Sequence, residues 1–211
     1  GPAGEAAFRF PNGLCLVRED LFVSDAGNHS IRRIRLIDGS VRTVLGNGKA
    51  GIPRETTVIW AKEVSLNQPW GMASSNDRLF IAMAGCNQVW EFELGLGRLR
   101  LVAGTGEFGI VDGPARNAVF AHPAALALVQ QTLYVLEAGS SSLRAINLQH
   151  NQVQTLVGQG VYEFGDQDGL RREARLQCPQ AMVLDPDSAE LWIADTYNGT
   201  LRKLKLGGGD V

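Results

Sequence analysis

Short apolar runs separated by small polar residues return in the same order four times along the chain. Pro11, Pro69, Pro123 and Pro179 each stand three residues after an aromatic residue or leucine (Phe8, Leu66, Phe120, Leu176), at intervals of 58, 54 and 56 residues. A short apolar stretch follows each proline, at 13–17, 71–73, 125–129 and 181–184. A second apolar run follows at 21–25, 79–83, 133–137 and 191–195, and a third at 31–36, 89–94, 143–148 and 201–206. A fourth run ends on glycine at Gly46, Gly104 and Gly158, and the last copy lacks it. The repeat divides the chain into units of approximately 1–46, 47–104, 105–158 and 159–211.

Each run reads as a β-strand. The third alternates apolar residues with Arg, Glu or Lys, the period of a sheet with one wetter face. The second is apolar throughout, as in a strand buried on both faces. Glycine, asparagine and serine between the runs supply tight turns. Four short strands per unit, repeated at a fixed period, predict an all-β fold, a β-propeller of four-stranded blades. Helix signals are confined to 55–63 and 170–176, each at most two turns long.

Composition narrows the function classes. With 45% hydrophobic and 20% charged residues the chain is a folded one with no membrane-spanning apolar run. Twenty Lys+Arg against 22 Asp+Glu gives a net charge of −2 and argues against a general nucleic-acid binder. Gly at 25 of 211 residues fits many turns. Cys15, Cys86 and Cys178 have neither a disulfide nor a zinc spacing, which favours a reducing compartment such as the cytoplasm. Cys86, in a turn, is the cysteine expected to be accessible.

The residues Asp25-Ala-Gly-Asn28-His29-Ser-Ile31-Arg32 resemble the NHL repeat, and Asp195 to Arg202 resemble it with Gly199 in place of the histidine. Ile81 to Trp90, Ser140 to Arg144 and Phe164 to Gly169 resemble, in that order, signatures of the NHL-repeat-containing protein 2 type. That resemblance implies a six-bladed ring preceded by a thioredoxin-like domain. It covers nearly the whole chain, which then reads as about four blades of a longer protein. Gly71, where an acidic residue is expected, and the stretch 53–63 depart from the pattern.

Candidate chemistry is sparse. Asp25 and Asp195, with Asn28 and Asn198, are expected to be structural turn residues whose carboxylates accept backbone N–H groups of the turn that follows. Met83 and Glu137 occupy the matching positions, which breaks any ring of metal ligands. His29, His122 and His150 lack a metal-ligand spacing, so no metal and no cofactor are expected. Gly46-Asn47-Gly48 and its two counterparts lack the lysine of a phosphate loop and read as connectors. Asn12, Trp70 and Gln180 follow the repeat prolines and are the candidate binding residues on one rim, with Trp70 as the anchor. Arg32, Arg33, Arg35 and Arg42 form a basic stripe that Glu91 and Glu93 interrupt in the next unit. The leading expectation is a non-catalytic platform for a protein or peptide partner, acting beside a thioredoxin-like domain. Two alternatives stay open: a metal-dependent lyase or hydrolase at the channel mouth, using Glu137 with Asp25 or Asp195, and an RNA-binding NHL domain.

Overall fold

The computed structural model describes residues 1–54, 61 and 63–206. Four antiparallel sheets follow one another along the chain. Blade 1 holds β1 (Pro11–Val17), β2 (Asp20–Asp25), β3 (Ser30–Arg35) and β4 (Val41–Leu45). Blade 2 holds β5 (Pro69–Ser75), β6 (Arg78–Met83), β7 (Gln88–Glu93) and β8 (Arg98–Ala103). The two-residue β9 (Gly113–Pro114) then adds to the outer edge of blade 3, beside β10 (Pro123–Val129), β11 (Thr132–Glu137), β12 (Ser142–Asn147) and β13 (Gln152–Val157). Blade 4 holds β14 (Ala181–Asp185), β15 (Glu190–Asp195) and β16 (Thr200–Lys205) and, as the missing fourth run predicts, has three strands.

The period-2 pattern gives blades 2 and 3 two buried faces and the terminal blades one. Ile31, Leu45 and Phe22 of blade 1 pack on Met72, Ile81 and Trp90 of blade 2. The other face of blade 2, with Phe80 and Val89, packs on Leu126, Val135 and Ile146 of blade 3. Leu136 and Leu143 of blade 3 in turn meet Leu191, Ile193 and Leu204 of blade 4. At about 25 cal/mol per Å² of apolar area removed from water, this stacking is the main stabilising term. The innermost strands approach one another in the order β1, β5, β10, β14. The outward faces of the two terminal blades keep Leu14 (65% exposed) and Leu201 (71%) in contact with solvent.

Gly71, which departs from the acidic residue expected there, has a packing reason. A Cβ at this position would lie within 2.5 Å of Ala125 Cα, on the neighbouring inner strand. Gly13 approaches the Trp70 carbonyl in the same way. Ser24 reinforces that seam, accepting from Gly13 N–H at 2.6 Å and donating to the Trp70 carbonyl.

Two local expectations need comment. Residues 170–176 form a turn rather than a helix, because Glu173 and Ala174 N–H both close on the Leu170 carbonyl and Gln167 then bridges Arg175. Most of the expected helix at 55–63 lies outside the described residues.

Candidate functional site

The ends of the second strands carry the buried polar groups. In blade 1, Asp25 Oδ1 accepts from Arg9 N–H at 2.7 Å, and Oδ2 accepts from Asn28 Nδ2 at 2.8 Å and Arg32 Nη1 at 3.2 Å. In blade 4, Asp195 accepts in the same way from Gln177 N–H (2.7 Å), Asn198 Nδ2 (2.8 Å) and Arg202 Nε (2.7 Å), while Arg202 also pairs with Asp166 and Asp168. In blade 3, Glu137 accepts from Ala121 N–H (2.6 Å), Ser140 Oγ (2.9 Å) and Arg144 Nη1 (2.9 Å). Arg144 extends this set to Asp112 at 2.7 Å.

Glu137 and Arg144 are both fully buried. Burial pushes the Glu137 carboxyl up to about 7, against the pull of Arg144 and its hydrogen bonds. Each carboxylate thus clamps the strand end, the turn and the segment before the next proline into one unit. A buried charge needs such partners.

Blade 2 replaces the whole clasp. Met83 stands at the carboxylate position and Trp90 at the arginine position, both buried. Trp90 Nε1 donates to Gln88 Oε1 at 3.1 Å, and the Cys86 thiol reaches the same oxygen at 3.6 Å. Cys86 is therefore not the accessible cysteine: it fills the position of Asn28, 4% exposed, and burial pushes its thiol up to about 12.

A second set of contacts joins successive blades. The residue before each repeat proline adopts a left-handed backbone: Phe10 (φ 48°), Gln68 (49°), His122 (47°) and Cys178 (46°). In Gln68, His122 and Cys178 the N–H is aimed at the preceding blade. Gln68 N–H donates to His29 Nδ1 (3.3 Å), His122 N–H to Asn87 Oδ1 (2.9 Å) and Cys178 N–H to Ser141 Oγ (3.0 Å). His29, Asn87 and Ser141 are themselves left-handed, and Gly199 takes their place in blade 4. The histidine of the repeat motif is thus a latch between blades 1 and 2.

On the rim where the inner strands begin, blades 1 and 2 enclose a groove of about 500 Å³. Asn12 and Trp70 line it together, with Arg9, Phe10, His29 and Gln68. Phe10 is 74% exposed, and its left-handed backbone turns the ring outward instead of into the blade. Gln180 lies apart, at the start of blade 4, exposed and 3.9 Å from Cys178 Sγ. Phe10 and His29 were not read as rim residues from sequence. The signal was an aromatic at a position where the other units carry Gln68, His122 and Cys178.

Asp25, Glu137 and Asp195 remain in three separate blades, each engaged by its own arginine. Among the described residues, no three His, Cys, Asp or Glu side chains are gathered as a metal site would need. No helix among them is long and apolar enough to cross a membrane.

No family model matches the chain. Two curated relatives match almost all of it. Protein SUPPRESSOR OF QUENCHING 1, chloroplastic, of Arabidopsis thaliana is 32% identical over 97% of this chain and 20% of its own length. NHL repeat-containing protein 2 of Gallus gallus is 32% identical over 96% of this chain and 32% of its own length. The chain thus spans between a fifth and a third of these relatives. Among solved structures, a Bacteroides thetaiotaomicron protein of unknown function superposes with a TM-score of 0.74 at 18% identity, over 92% of this chain and 46% of that one. An auxiliary nutrient binding protein from Bacteroides ovatus gives 0.70 at 18% identity, over 94% and 48%. At that identity the structural match speaks for the fold alone. The recurring blades, the motif from Asp25 to Arg32 and the curated relatives agree: the chain is a β-propeller similar in sequence to NHL repeat proteins.

Proposed function

We propose that this propeller is a non-catalytic binding platform that takes a protein or peptide partner in the rim groove between blades 1 and 2. The observation that carries the reading is the pairing of two aromatic residues, Phe10 and Trp70, with Asn12, Gln68 and Arg9 in one concave site. Aromatic anchors surrounded by amides and a cation are what interface centres select. The reading is supported by Asp25, Glu137 and Asp195, each of which is engaged in holding the end of its own blade. The groove is rigidly framed, because the Gln68–His29 latch and the Ser24 bridge tie its two walls together. By resemblance, the partner would be presented to a thioredoxin-like domain of a longer protein. Affinity capture on the immobilised chain tests the reading. Partners retained by the unaltered chain are expected to be lost with Trp70→Ala and weakened with Asn12→Ala. Equal retention by all three chains overturns it.

A further inference from the structure

Arg33 and Arg42 stand directly opposite each other in the β3–β4 ladder. Like charges at opposed ladder positions repel. The corresponding positions in blade 2 are Glu91 and Arg100, which form a 2.8 Å ion pair. In blade 3 they are the uncharged Ala145 and Gln154. Blade 1 therefore opposes two like charges where blades 2 and 3 carry a neutral pair. Arg33 leans toward Asp20 at 3.5 Å, whereas Arg42 is exposed and meets no carboxylate among the described residues. Asp20 in turn keeps one oxygen, Oδ1, buried without a hydrogen-bond donor.

These groups border a groove of about 570 Å³ between blades 1 and 2, separate from the rim site. Its lining sets apolar residues, Val44 and Leu94 among them, beside Arg18, Asp20, Arg33, Arg42 and Asp77. The equivalent groove between blades 2 and 3 is smaller, about 350 Å³, and its Arg100 is already neutralised by Glu91.

We propose that the larger groove binds an extended peptide segment with one acidic side chain. Its carboxylate sits between Arg33 and Arg42, and an apolar side chain beside the acid packs on the half-buried Val44 and Leu94. Both elements answer a feature of the groove: the like charges of Arg33 and Arg42, and apolar wall in contact with solvent. A polyphosphate backbone fits less well, because Asp20 and Asp77 line the same groove, pair with Arg33 and Arg18, and leave place for a single carboxylate and not for a run of charges.

Fluorescence anisotropy with a labelled peptide carrying Leu-Glu-Phe between Gly-Ser flanks tests the proposal. Saturable binding is expected, about tenfold weaker for the Leu-Gln-Phe peptide and for the Arg42→Ala chain. Arg100→Ala, in the compensated groove, and Trp70→Ala, on the rim, are expected to leave it unchanged, which separates this site from the rim reading. Arg42 is exposed, so Arg42→Ala should keep the circular dichroism of the parent. Equal affinity for the Glu and Gln peptides, or indifference to Arg42→Ala, overturns the proposal. So does displacement by acetate at the concentration at which unlabelled peptide displaces, which would reduce the site to a carboxylate pocket. A labelled uridine octamer that binds more tightly than the peptide and is lost with Arg42→Ala would assign the groove to RNA and overturn it equally.

Discussion

Trp90 follows Met83 by the same seven residues that separate Glu137 from Arg144 one blade later, so a buried ion pair and an apolar pair fill one structural position. The two solutions are alternatives for the same task. A lone buried charge is costly, and removing one member of a buried pair typically costs about 3–5 kcal/mol. Arg144→Trp and Glu137→Met should each destabilise on that scale. The double substitution, which copies blade 2, should cost clearly less than the sum. Urea denaturation of the three variants measures the coupling, and strictly additive losses would contradict the exchange.

Glu137 sets a pH dependence. Its carboxyl is raised from 4.5 to about 7 in the folded chain, so the folded state holds a proton that the unfolded state releases earlier. The stabilising contribution of this group is complete below about pH 4.5 and is lost as pH rises through about 7. The urea midpoint should therefore carry a falling component across that window. Glu137→Gln, whatever its overall cost, should remove that component.

The latches between blades predict an asymmetry along the chain. Asn87 is 8% exposed, and Asn87→Ala leaves the His122 N–H without its acceptor, at a cost of about 1–3 kcal/mol. Gly199 occupies the same place in blade 4 with φ +63°, a conformation asparagine tolerates, and nothing lies within 4 Å of a Cβ there. Gly199→Asn should change stability by less than about 0.5 kcal/mol. Thermal denaturation of the two variants distinguishes the positions.

The opposed arginines of blade 1 predict a stabilising substitution. Arg42→Glu would reproduce the Glu91–Arg100 pair with its members exchanged and remove the repulsion on Arg33. The expected gain is about 0.2–1 kcal/mol at low ionic strength, shrinking with added salt. No gain at low salt would show that Arg33 and Arg42 do not feel each other.

Much of this architecture could be read directly from residue order. Strand positions followed from the period-2 runs and the blades from the proline spacing, whereas Asp25 and Asp195 accept from Arg9 and Gln177 N–H, ahead of the inner strands, and not from backbone N–H groups of the turn behind them. The Trp90 exchange was visible in principle, since the third runs align Trp90 with Arg32, Arg144 and Arg202. The loss of the carboxylate at Met83 is the signal that the cation of the third run leaves with it. The left-handed residues before the prolines were not legible. Phe10, Gln68, His122 and Cys178 share no side-chain property, and in the last three the N–H meets an acceptor on the preceding blade. Cys86 misled for a related reason: turns are usually wet, yet this one folds its +3 side chain under Trp90. The rim grouping was legible only in part, because Asn12 and Trp70 converge across a blade seam while Gln180 sits on another blade.

Hydrogen exchange of the chain, free and with a captured partner, tests the rim site most directly. The account predicts added protection centred on the amides of residues 9–13 and 68–71, abolished by Trp70→Ala. Protection confined to the outward sheet faces around Leu14 or Leu201, with residues 68–71 unchanged, would contradict it.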